Sequence, residues 1–364
     1  MTAPKGTRVV AAMSGGVDSA VAAGLLAEAG CEVIGVTMKM YAPTRPAHAK
    51  SCCGAEDFDD ARRSAATLGI PHYVLDFEEV FRRHVVDRFA ADYAAGRTPN
   101  PCVACNNEVK LGALRAYAQR LGARFVATGH YARLEHADDG PHLYRSASSK
   151  DQAYALAQLA PEQLGALLLP LGRLSKPEPR AHAARLGLSV AEKQESQDIC
   201  FVEGGDYRDV LAGLAPGAAR RGPVVASDGS RVGTHEGIGG YTVGQRRRLP
   251  AADGPRYVTH IDPDTNTIVI GREDELAVDA LVARALNLIR PERFERAVTR
   301  VLAMTRYRSR PVPATAVLDA EGRLRLTFDE PHRAVAPGQL VALLDPGGEE
   351  ILGGATIERG LRER

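Results

Sequence analysis

The sequence has few lysines and no excess charge of either sign. Its 364 residues carry 46 basic and 45 acidic side chains, which gives a formal net charge of +1 at pH 7. Only seven of the basic residues are lysines, and none follows Lys193. A chain without an overall charge does not attract an acidic partner by its net field, so the local grouping of arginines decides which partners bind.

Long apolar runs are also absent. No stretch approaches the roughly 18 to 20 apolar residues of a membrane-spanning helix, and the apolar run near the N-terminus is too short for a signal peptide. Six cysteines do not suggest a secreted disulfide scaffold in a chain of this length; reduced thiols, metal binding or redox chemistry fit better. We therefore expect a soluble, cytoplasmic protein without a membrane partner.

The chain is long enough for two or three domains, each with its own core. In the first half, short β-branched segments alternate with helical patterns, which is typical of a parallel sheet covered by helices. Proline and glycine then become frequent, and later strand patterns have the spacing of an antiparallel barrel. We predict an α/β fold with a parallel-sheet N-terminal domain at 1–205, a small linking domain at 206–275 and a C-terminal antiparallel β-barrel at 276–364.

A glycine-rich segment, Ser14-Gly15-Gly16-Val17-Asp18-Ser19, lies between an apolar strand and an alanine-rich helix. Glycines here let backbone N–H groups approach phosphate oxygens, and the N-terminus of a helix favours negative charge. The Gly-Lys-Ser/Thr ending of a Walker P-loop is missing. For two glycines alone, a turn capped by Ser14 or Asp18 would be the simpler interpretation.

The string SGGVDS resembles the PP-loop of the ATP pyrophosphatase superfamily, which has an adenine nucleotide alpha hydrolase-like fold. Its members cleave ATP to AMP and pyrophosphate while they adenylate a substrate oxygen. The resemblance implies ATP with Mg²⁺, and Asp18 as the acid that helps to hold the ion beside the phosphates. The nucleotide-binding residues that it implies are Ala12, Met13, Ser14, Gly15, Gly16, Val17, Asp18, Ser19, Met38 and Gly129.

A second candidate site contains cysteines. Prolines at positions 99 and 101 precede the pair Cys102 and Cys105, at the start of a helix that the pattern predicts from about Asn107 to Leu121. The prolines fix the loop, and a helix N-terminus lowers the pKa of a nearby thiol, so a thiolate here would be a nucleophile or a metal ligand. Buried, inert thiols are the alternative for an isolated pair. Cys200 follows within the same expected domain.

Motifs along almost the whole chain resemble the bacterial tRNA 2-thiouridylase family. Eight of them occur in order, which argues against chance: SGGVDS, GRTPNPxxxCN, TGHYAR, KDQAY, ESQDICF, GxHxGxxxYTVGQR, TRYR and APGQ. The resemblance implies 2-thiolation of the wobble uridine, position 34, of tRNA. ATP would adenylate the uracil 2-oxo group, and a sulfur nucleophile would displace AMP.

The family also implies roles for the three cysteines. The residue that matches Cys200 carries a persulfide or forms a disulfide with the one that matches Cys105, which acts as the nucleophile. Cys102 stands where the family usually has the proposed acid–base aspartate. The three cysteines are too few for an all-cysteine zinc site but suit a [4Fe–4S] cluster with one open iron, as in related tRNA thiolases. The cluster is our leading hypothesis, and the persulfide relay is the alternative.

A basic and aromatic segment lies in the expected linking domain. Six arginines and two acidic residues occur between Pro216 and Pro250, together with His235, Tyr241 and Gln245, a mixture suited to phosphates and stacked bases. The expected barrel adds four arginines, at positions 300, 306, 308 and 310. The family implies a flipped target base near Asn100, Pro101 and Cys102. It implies further tRNA contacts at His130, Lys150, Asp151, Gln152, Arg306, Tyr307 and Gln339.

Two other functions stay open. One is a PP-loop ligase or amidotransferase that acts on a small molecule. The other is an RNA-binding module with structural zinc at Cys102, Cys105 and either Cys52 or Cys53. We interpret Cys52 and Cys53 as a loop before a helix, with additional metal ligands as the alternative, and Cys31 as a core thiol. The family implies Lys, Glu and Gln tRNAs as acceptors, and a cysteine desulfurase or a sulfur relay protein as a further partner.

Overall fold

The computed structural model describes residues 3–41, 55–193, 199–202, 206–251, 253–295, 298–333 and 335–362. The chain divides into two compact units. The first unit comprises residues 1–85, 102–204 and 349–351, and the second unit comprises 86–101, 205–348 and 352–364. The chain therefore passes from one unit to the other several times. The bounds of the three domains drawn from the sequence stay a prediction.

The α-helices in the described residues are α1 (Val17–Glu28), α2 (Ala55–Thr67), α3 (Glu78–Phe81), α4 (Asp87–Ala94), α5 (Pro101–Ala104), α6 (Arg115–Arg120), α7 (Pro161–Leu164), α8 (Glu178–Arg185) and α9 (Tyr207–Leu214). Two wider, π-helical segments continue them, Arg82–Val86 and Cys105–Leu114. Short 3-10 turns occur at Ala153–Leu156, Ser189–Glu192, Pro216–Ala219, Ile238–Gly240, Asp274–Leu276 and Pro291–Phe294.

The strands in the described ranges form three sheets. In chain order they are β1 (Arg8–Ala12), β2 (Glu32–Lys39), β3 (His72–Asp76), β4 (Phe125–Ala127), β5 (Ala132–Ala137), β6 (Gly140–Arg145), β7 (Leu167–Leu168), β8 (Gly222–Ala226), β9 (Arg231–His235), β10 (Tyr257–Asp262), β11 (Thr267–Gly271), β12 (Ala277–Leu288), β13 (Thr299–Met304), β14 (Val312–Leu318), β15 (Leu324–Arg333), β16 (Leu340–Leu344) and β17 (Glu350–Leu361).

A parallel sheet with the order β3-β2-β1-β4-β7 is the centre of the first unit. Val9 and Val10 of the central strand are fully buried, as expected for a parallel strand with both faces covered by helices. Strand β1 lies between β2 on one side and β4 on the other, so the strand order reverses beside it. In open parallel sheets, ligands bind at the carboxyl ends of the strands at such a reversal.

The first unit also contains a hairpin that the sequence did not predict. Strands β5 and β6 pair antiparallel, with Ala132 opposite Arg145. Strand β6 then pairs with the start of β17, where Ile351 lies opposite Leu143. Residues 349–351 therefore belong to the first unit, where they extend the hairpin.

The second unit contains two sheets with separate cores. A four-stranded sheet has the order β10-β11-β8-β9, and its core includes Val258 and Ile268. The strands β12-β15-β14-β13-β16-β17 form an antiparallel barrel, which closes where β12 pairs with β17. Burial alternates along β15, so Leu324 and Leu326 point to the barrel interior. The predicted fold class is confirmed.

One helix begins earlier than the sequence predicted. The helical segment expected from about Asn107 already begins at Pro101, because proline is well suited to the first position of a helix. Cys102 and Cys105 therefore lie in the helix itself. Within the described part of the chain, no helix is long and apolar enough to cross a membrane.

Candidate nucleotide-binding and cysteine site

The glycine-rich loop joins β1 to α1 in the first unit. Gly15 has φ +75°, and a Cβ atom there would lie 2.2 Å from the carbonyl oxygen of Asp57, so only glycine fits. Gly16 is the N-cap of α1. The Ser19 hydroxyl donates to the Gly16 carbonyl at 2.9 Å and accepts from the Ser14 N–H at 3.1 Å. The loop is thus closed on itself at the positive end of a helix dipole.

The carboxylate of Asp18 is held beside this loop by two other motifs. The Tyr131 hydroxyl donates to Asp18 Oδ1 at 2.7 Å, and Lys150 Nζ lies 3.5 Å from Asp18 Oδ2. The Lys150 ammonium also lies 5.0 Å from the centroid of the Tyr131 ring. Gln152 Oε1 accepts from the Tyr131 N–H at 3.0 Å. The TGHYAR and KDQAY motifs therefore meet at the acid of the nucleotide loop.

Asp151 fixes the backbone of the KDQAY segment. Its carboxylate accepts from the N–H groups of Ser146 at 2.8 Å and Ala153 at 3.3 Å, and pairs with Arg145 at 3.2 Å. These bonds hold the turn that presents Lys150 to the nucleotide loop. Contact of Lys150, Asp151 and Gln152 with tRNA stays a prediction.

The remaining nucleotide residues follow the ends of neighbouring strands. Met38 is buried near the end of β2, and the Met13 N–H donates to the Val36 carbonyl at 2.8 Å. Gly129 follows β4, and a Cβ atom there would lie 2.9 Å from the Ser19 nitrogen, so a side chain would block this close approach to α1. The sequence-predicted nucleotide residues therefore lie on three adjacent strand ends and the loop. Their contact with ATP stays a prediction.

Lys193 belongs to this region, although sequence reasoning did not assign it a role. Its Nζ donates to the Gly15 carbonyl at 3.1 Å, to Asp57 Oδ1 at 2.6 Å and to Asp60 Oδ2 at 2.5 Å. Burial acts to lower the pKa of Lys193, but the two carboxylates outweigh it and raise the pKa above its ordinary value. The available signal was its position, since it is the last lysine and stands just before the ESQDICF motif.

The three candidate cysteines all lie in the first unit. Cys102 is exposed in the first turn of α5, Cys105 is buried at the start of the π-helical segment, and Cys200 is half-buried. Phe201 packs edge-on against Phe81 of α3, with ring centroids 5.8 Å apart, and α3 contacts the segment that begins at Cys105. The residue next to Cys200 thus packs against α3, and α3 in turn contacts the segment that begins at Cys105.

The described residues do not fit a metal cluster at these cysteines. Cys102, Cys105 and Cys200 are all described, yet no group of three or more His, Cys, Asp or Glu side chains in the described ranges could hold a metal ion. Cys52 and Cys53 lie outside the described residues. Cys31 packs against the core of the first unit, where burial raises the pKa of its thiol, in agreement with its interpretation as a core thiol.

His130 is a neutral group in this site. Its Nδ1 lies 2.7 Å from the Thr128 hydroxyl. Burial, and secondarily the charge of Lys110, hold the pKa of His130 well below its usual range. Lys110 lies on the π-helical segment and donates to the buried Asn106 at 3.0 Å. His130 can therefore offer a hydrogen bond to a ligand but no positive charge at neutral pH.

In the second unit, Gln339 holds the loop before the cysteine pair. Its Nε2 donates to the carbonyls of Thr98 at 2.9 Å and Pro99 at 3.3 Å. The Thr98 N–H donates to the Pro337 carbonyl at 2.7 Å. These bonds fix the chain that leads into Asn100 and Pro101, the residues predicted to lie at the target base.

Arg306 and Tyr307 form part of the surface of the second unit. One guanidinium nitrogen of Arg306 donates to the Val243 carbonyl at 3.0 Å, so the TRYR motif meets the YTVGQR motif. The Tyr307 side chain is 42% exposed, and the Arg308 guanidinium lies 5.1 Å from the centroid of its ring. An exposed ring with a stacked arginine is suited to nucleic acid, but a tRNA contact stays a prediction.

Two residues of the basic segment were assigned to the wrong role. His235 is buried, its Nε2 bonds the Asn266 carbonyl at 2.9 Å, and its Nδ1 accepts from the Gly237 N–H at 3.0 Å. Tyr241 is buried too and donates to the Arg248 carbonyl at 3.2 Å. Both side chains use their polar atoms to hold the backbone of the second unit, so the prediction that they face phosphates or bases is wrong.

Three family models match the chain in succession. They are described as a tRNA methyl transferase HUP domain at residues 7–204, a tRNA methyl transferase PRC-barrel domain at 209–272 and an aminomethyltransferase beta-barrel domain at 278–357. The tRNA-specific 2-thiouridylase MnmA of Sinorhizobium fredii is 44% identical over 99% of this chain and 94% of its own. The chain belongs to the MnmA family.

Other members of the MnmA family give the same result. The protein named tRNA-specific 2-thiouridylase MnmA from Moorella thermoacetica is 46% identical over 95% of this chain and 98% of its own. A solved 4-thiouridine synthetase–RNA complex with bound ATP covers 58% of this chain at 14% identity and a TM-score of 0.34, values from which nothing follows for this chain.

Proposed function

We propose that this protein catalyses the ATP-dependent 2-thiolation of the wobble uridine of tRNA. The observation that carries the proposal is the match to a protein named tRNA-specific 2-thiouridylase MnmA at 46% identity over 98% of this chain and 96% of the relative. The eight motifs are spread over both units, so a partial match to the ATP-binding part alone does not account for them. The reaction releases AMP and pyrophosphate.

The nucleotide loop supports the activation step. ATP phosphates would bind to the N–H groups at the start of α1, where the helix dipole favours negative charge. Asp18 supplies carboxylate oxygens beside the loop, which suits Mg²⁺ bound together with phosphates. Attack of the uracil 2-oxo group on the α-phosphorus of ATP expels pyrophosphate and converts an inert oxygen into a leaving group.

The cysteines support the sulfur step. A persulfide on Cys200 would supply the sulfur, and Cys105 would attack the Cys200 sulfur to release hydrosulfide and form a Cys105–Cys200 disulfide. The hydrosulfide adds to C2 of the adenylated uridine, and AMP leaves with the bonding electrons of the C–O bond. A thiol reductant then supplies two electrons to restore both thiols.

The cluster hypothesis receives no support from the described residues, and no step here uses a cluster. It has a direct test, since anaerobic reconstitution with iron and sulfide either yields bound iron or does not. If the reconstituted protein binds iron and chelation of that iron abolishes thiolation, the cluster mechanism replaces the persulfide mechanism.

The finer points of the proposal follow from the family. We infer tRNAs for Lys, Glu and Gln as acceptors, a cysteine desulfurase or a sulfur relay protein as the donor, and action in the cytoplasm. The names of two of the matching family models mention tRNA methyl transfer, but methyl transfer does not require a PP-loop.

The two alternative functions make different predictions about ATP. A ligase for a small molecule would release AMP at a rate that does not depend on tRNA, and an RNA-binding module with zinc would not consume ATP.

Nucleoside mass spectrometry tests the proposal. An unmodified glutamate tRNA transcript is incubated with ATP, Mg²⁺, the protein, and either sulfide or a desulfurase with cysteine. Appearance of 2-thiouridine that requires ATP confirms the reaction, and its absence with both sulfur sources overturns it.

Matched cysteine variants then assign the sulfur chemistry. Cys105→Ser and Cys200→Ser should lose the desulfurase-dependent product, because each removes a sulfur atom from the proposed relay. Cys31→Ser is the control, since that thiol packs against the core and its pKa is raised by burial. Equal loss in all three variants would point to misfolding and not to a relay.

A further inference from the structure

Lys193 has no part in the proposed chemistry, yet its side chain reaches the nucleotide loop. Its ammonium is 3.1 Å from the carbonyl oxygen of Gly15. Its backbone is also fixed, because Arg180 donates to the carbonyls of Ala191 at 2.5 Å and Lys193 at 3.0 Å. The lysine therefore approaches the loop from an anchored position within the first unit.

The contact sets the orientation of one peptide group. No cis peptide bond occurs among the described residues, and in a trans peptide the carbonyl and the following N–H point in opposite directions. A Gly15 carbonyl that faces Lys193 directs the Gly16 N–H to the other side. The Gly16 carbonyl is itself held by the Ser19 hydroxyl at 2.9 Å and the Ala20 N–H at 3.2 Å. Both carbonyls, which would repel phosphate, are thus engaged by donors.

The surrounding charges indicate that Lys193 orients the nucleotide loop and does not attract the phosphates of ATP by its charge. Asp57 Oδ1 and Asp60 Oδ2 lie 2.6 Å and 2.5 Å from Lys193 Nζ. Asp60 also pairs with Arg63 at 2.6 Å, so two carboxylates balance two cations and the cluster as a whole does not attract the negative phosphates of ATP. The carboxylates instead hold the ammonium in place against the loop.

We propose that Lys193 is a positioning residue for ATP, which holds the Gly15 carbonyl so that the Gly16 N–H is directed at the phosphates. This inference rests on the use of ATP in the proposed function. It assigns to Lys193 an effect on the phosphates only. The resemblance to PP-loop enzymes implies that the adenosine part of ATP lies near Met38 and Gly129, so its binding should not depend on the lysine.

Calorimetric titration of the full chain with Mg²⁺–ATP, and separately with adenosine, tests this inference. Lys193→Met should weaken ATP binding roughly tenfold, the usual effect of losing one charge-assisted hydrogen bond, and leave adenosine affinity unchanged. Lys193→Arg, which keeps donors and charge, should restore part of the ATP affinity. Lys176→Met is the matched control, because Lys176 is exposed on the same unit. Where Lys193→Met does not fold, Lys193→Gln carries the same comparison.

Two results would overturn the inference. One is ATP affinity within about twofold of the unmodified protein, and the other is an equal loss of ATP and adenosine affinity, which a general structural defect would produce. Failure of the proposed function is a separate result: the unmodified protein would bind ATP but form no 2-thiouridine, and the comparison of ATP with adenosine would still decide the role of Lys193.

Discussion

Side chains in the nucleotide site orient one another through hydrogen bonds and ion pairs. Asp18 accepts a hydrogen bond from the Tyr131 hydroxyl at 2.7 Å and lies 3.5 Å from Lys150, so its carboxylate is oriented before any ligand binds. A group fixed in this way loses little conformational entropy when Mg²⁺–ATP binds, which favours both affinity and correct geometry. The same reasoning applies to the Gly15 carbonyl and Lys193.

Buried and half-buried histidines should make the protein sensitive to mild acid. Burial lowers the pKa of five described histidines from the ordinary value of 6.5; they are His72, His130, His136, His235 and His332. As the pH falls below 6.5, these histidines become protonated in the unfolded chain but stay neutral in the folded chain. Stability is therefore full above about pH 6.5 and decreases below it. Differential scanning calorimetry should show a Tm lower by roughly 5 °C at pH 5.5 than at pH 7.5.

The loss of stability that the histidines cause occurs between about pH 7.5 and pH 5.5. Carboxylates titrate at lower pH, so the pH range distinguishes the two effects. His235→Gln is the informative variant, because its amide keeps a donor and an acceptor near Asn266 and Gly237 but does not titrate. Its Tm should depend less steeply on pH between 7.5 and 5.5. A Tm of the unmodified protein that is flat over this range would contradict the prediction.

At the scale of elements, the nucleotide loop and α2 are packed backbone to backbone at Gly15. Gly15→Ala places a Cβ atom 2.2 Å from the Asp57 carbonyl oxygen, so the loop or α2 must move. We expect 2-thiouridine formation and ATP binding to fall at least about a hundredfold, because misplaced phosphates lose their donors. Mass spectrometry of the tRNA product and calorimetric titration with ATP measure the two losses.

Gly6→Ala is the matched control for this substitution. Gly6 has φ +81°, close to that of Gly15, but no atom lies within 4 Å of the position its Cβ would take. Both variants pay about 1 to 2 kcal/mol for an alanine in the left-handed region. If Gly6→Ala lost ATP binding as completely as Gly15→Ala, backbone strain and not the clash with α2 would explain the effect.

The sequence predicted local elements better than long-range pairings. The sequence pattern predicts a helix at about 18–29 and strands at about 8–13, 32–38 and 124–128, and α1, β1, β2 and β4 lie within one or two residues of these bounds. Each is a short, largely apolar segment between polar or glycine residues, which marks it in the sequence. The hairpin of β5 and β6 was missed, because its partner in β17 lies some 200 residues away and polar residues interrupt its pattern. The contact between Lys193 and Gly15 was missed for the same reason.

At the scale of the whole molecule, tRNA affinity should depend steeply on salt. The net charge of +1 gives no general attraction, so binding relies on local arginines that displace counterions from phosphates. Fluorescence anisotropy should show at least a tenfold loss of affinity between about 50 and 200 mM KCl. An affinity that is flat over this range would contradict a binding mode based on phosphate contacts.

Two arginine variants make this prediction specific. Arg308 stacks on the exposed ring of Tyr307, and Arg308→Gln should reduce the slope of log affinity against log salt by about 0.7 to 0.9. Arg300 forms a paired contact with Asp329, at 2.8 Å and 2.5 Å, so its charge is largely offset. Arg300→Gln should therefore leave the slope nearly unchanged.

Strand β17 makes the first unit depend on residues near the C-terminal end of the chain. Residues 349–351 pair with β6 and belong to the first unit, and the rest of the strand closes the barrel of the second. The Arg145 N–H donates to the Glu349 carbonyl at 2.9 Å, and His142 contacts Glu350 at 2.7 Å. A gene cut after the parallel-sheet segment would lack these residues. Loss of the barrel by truncation would therefore also remove the residues that pair with β6 in the ATP-binding unit.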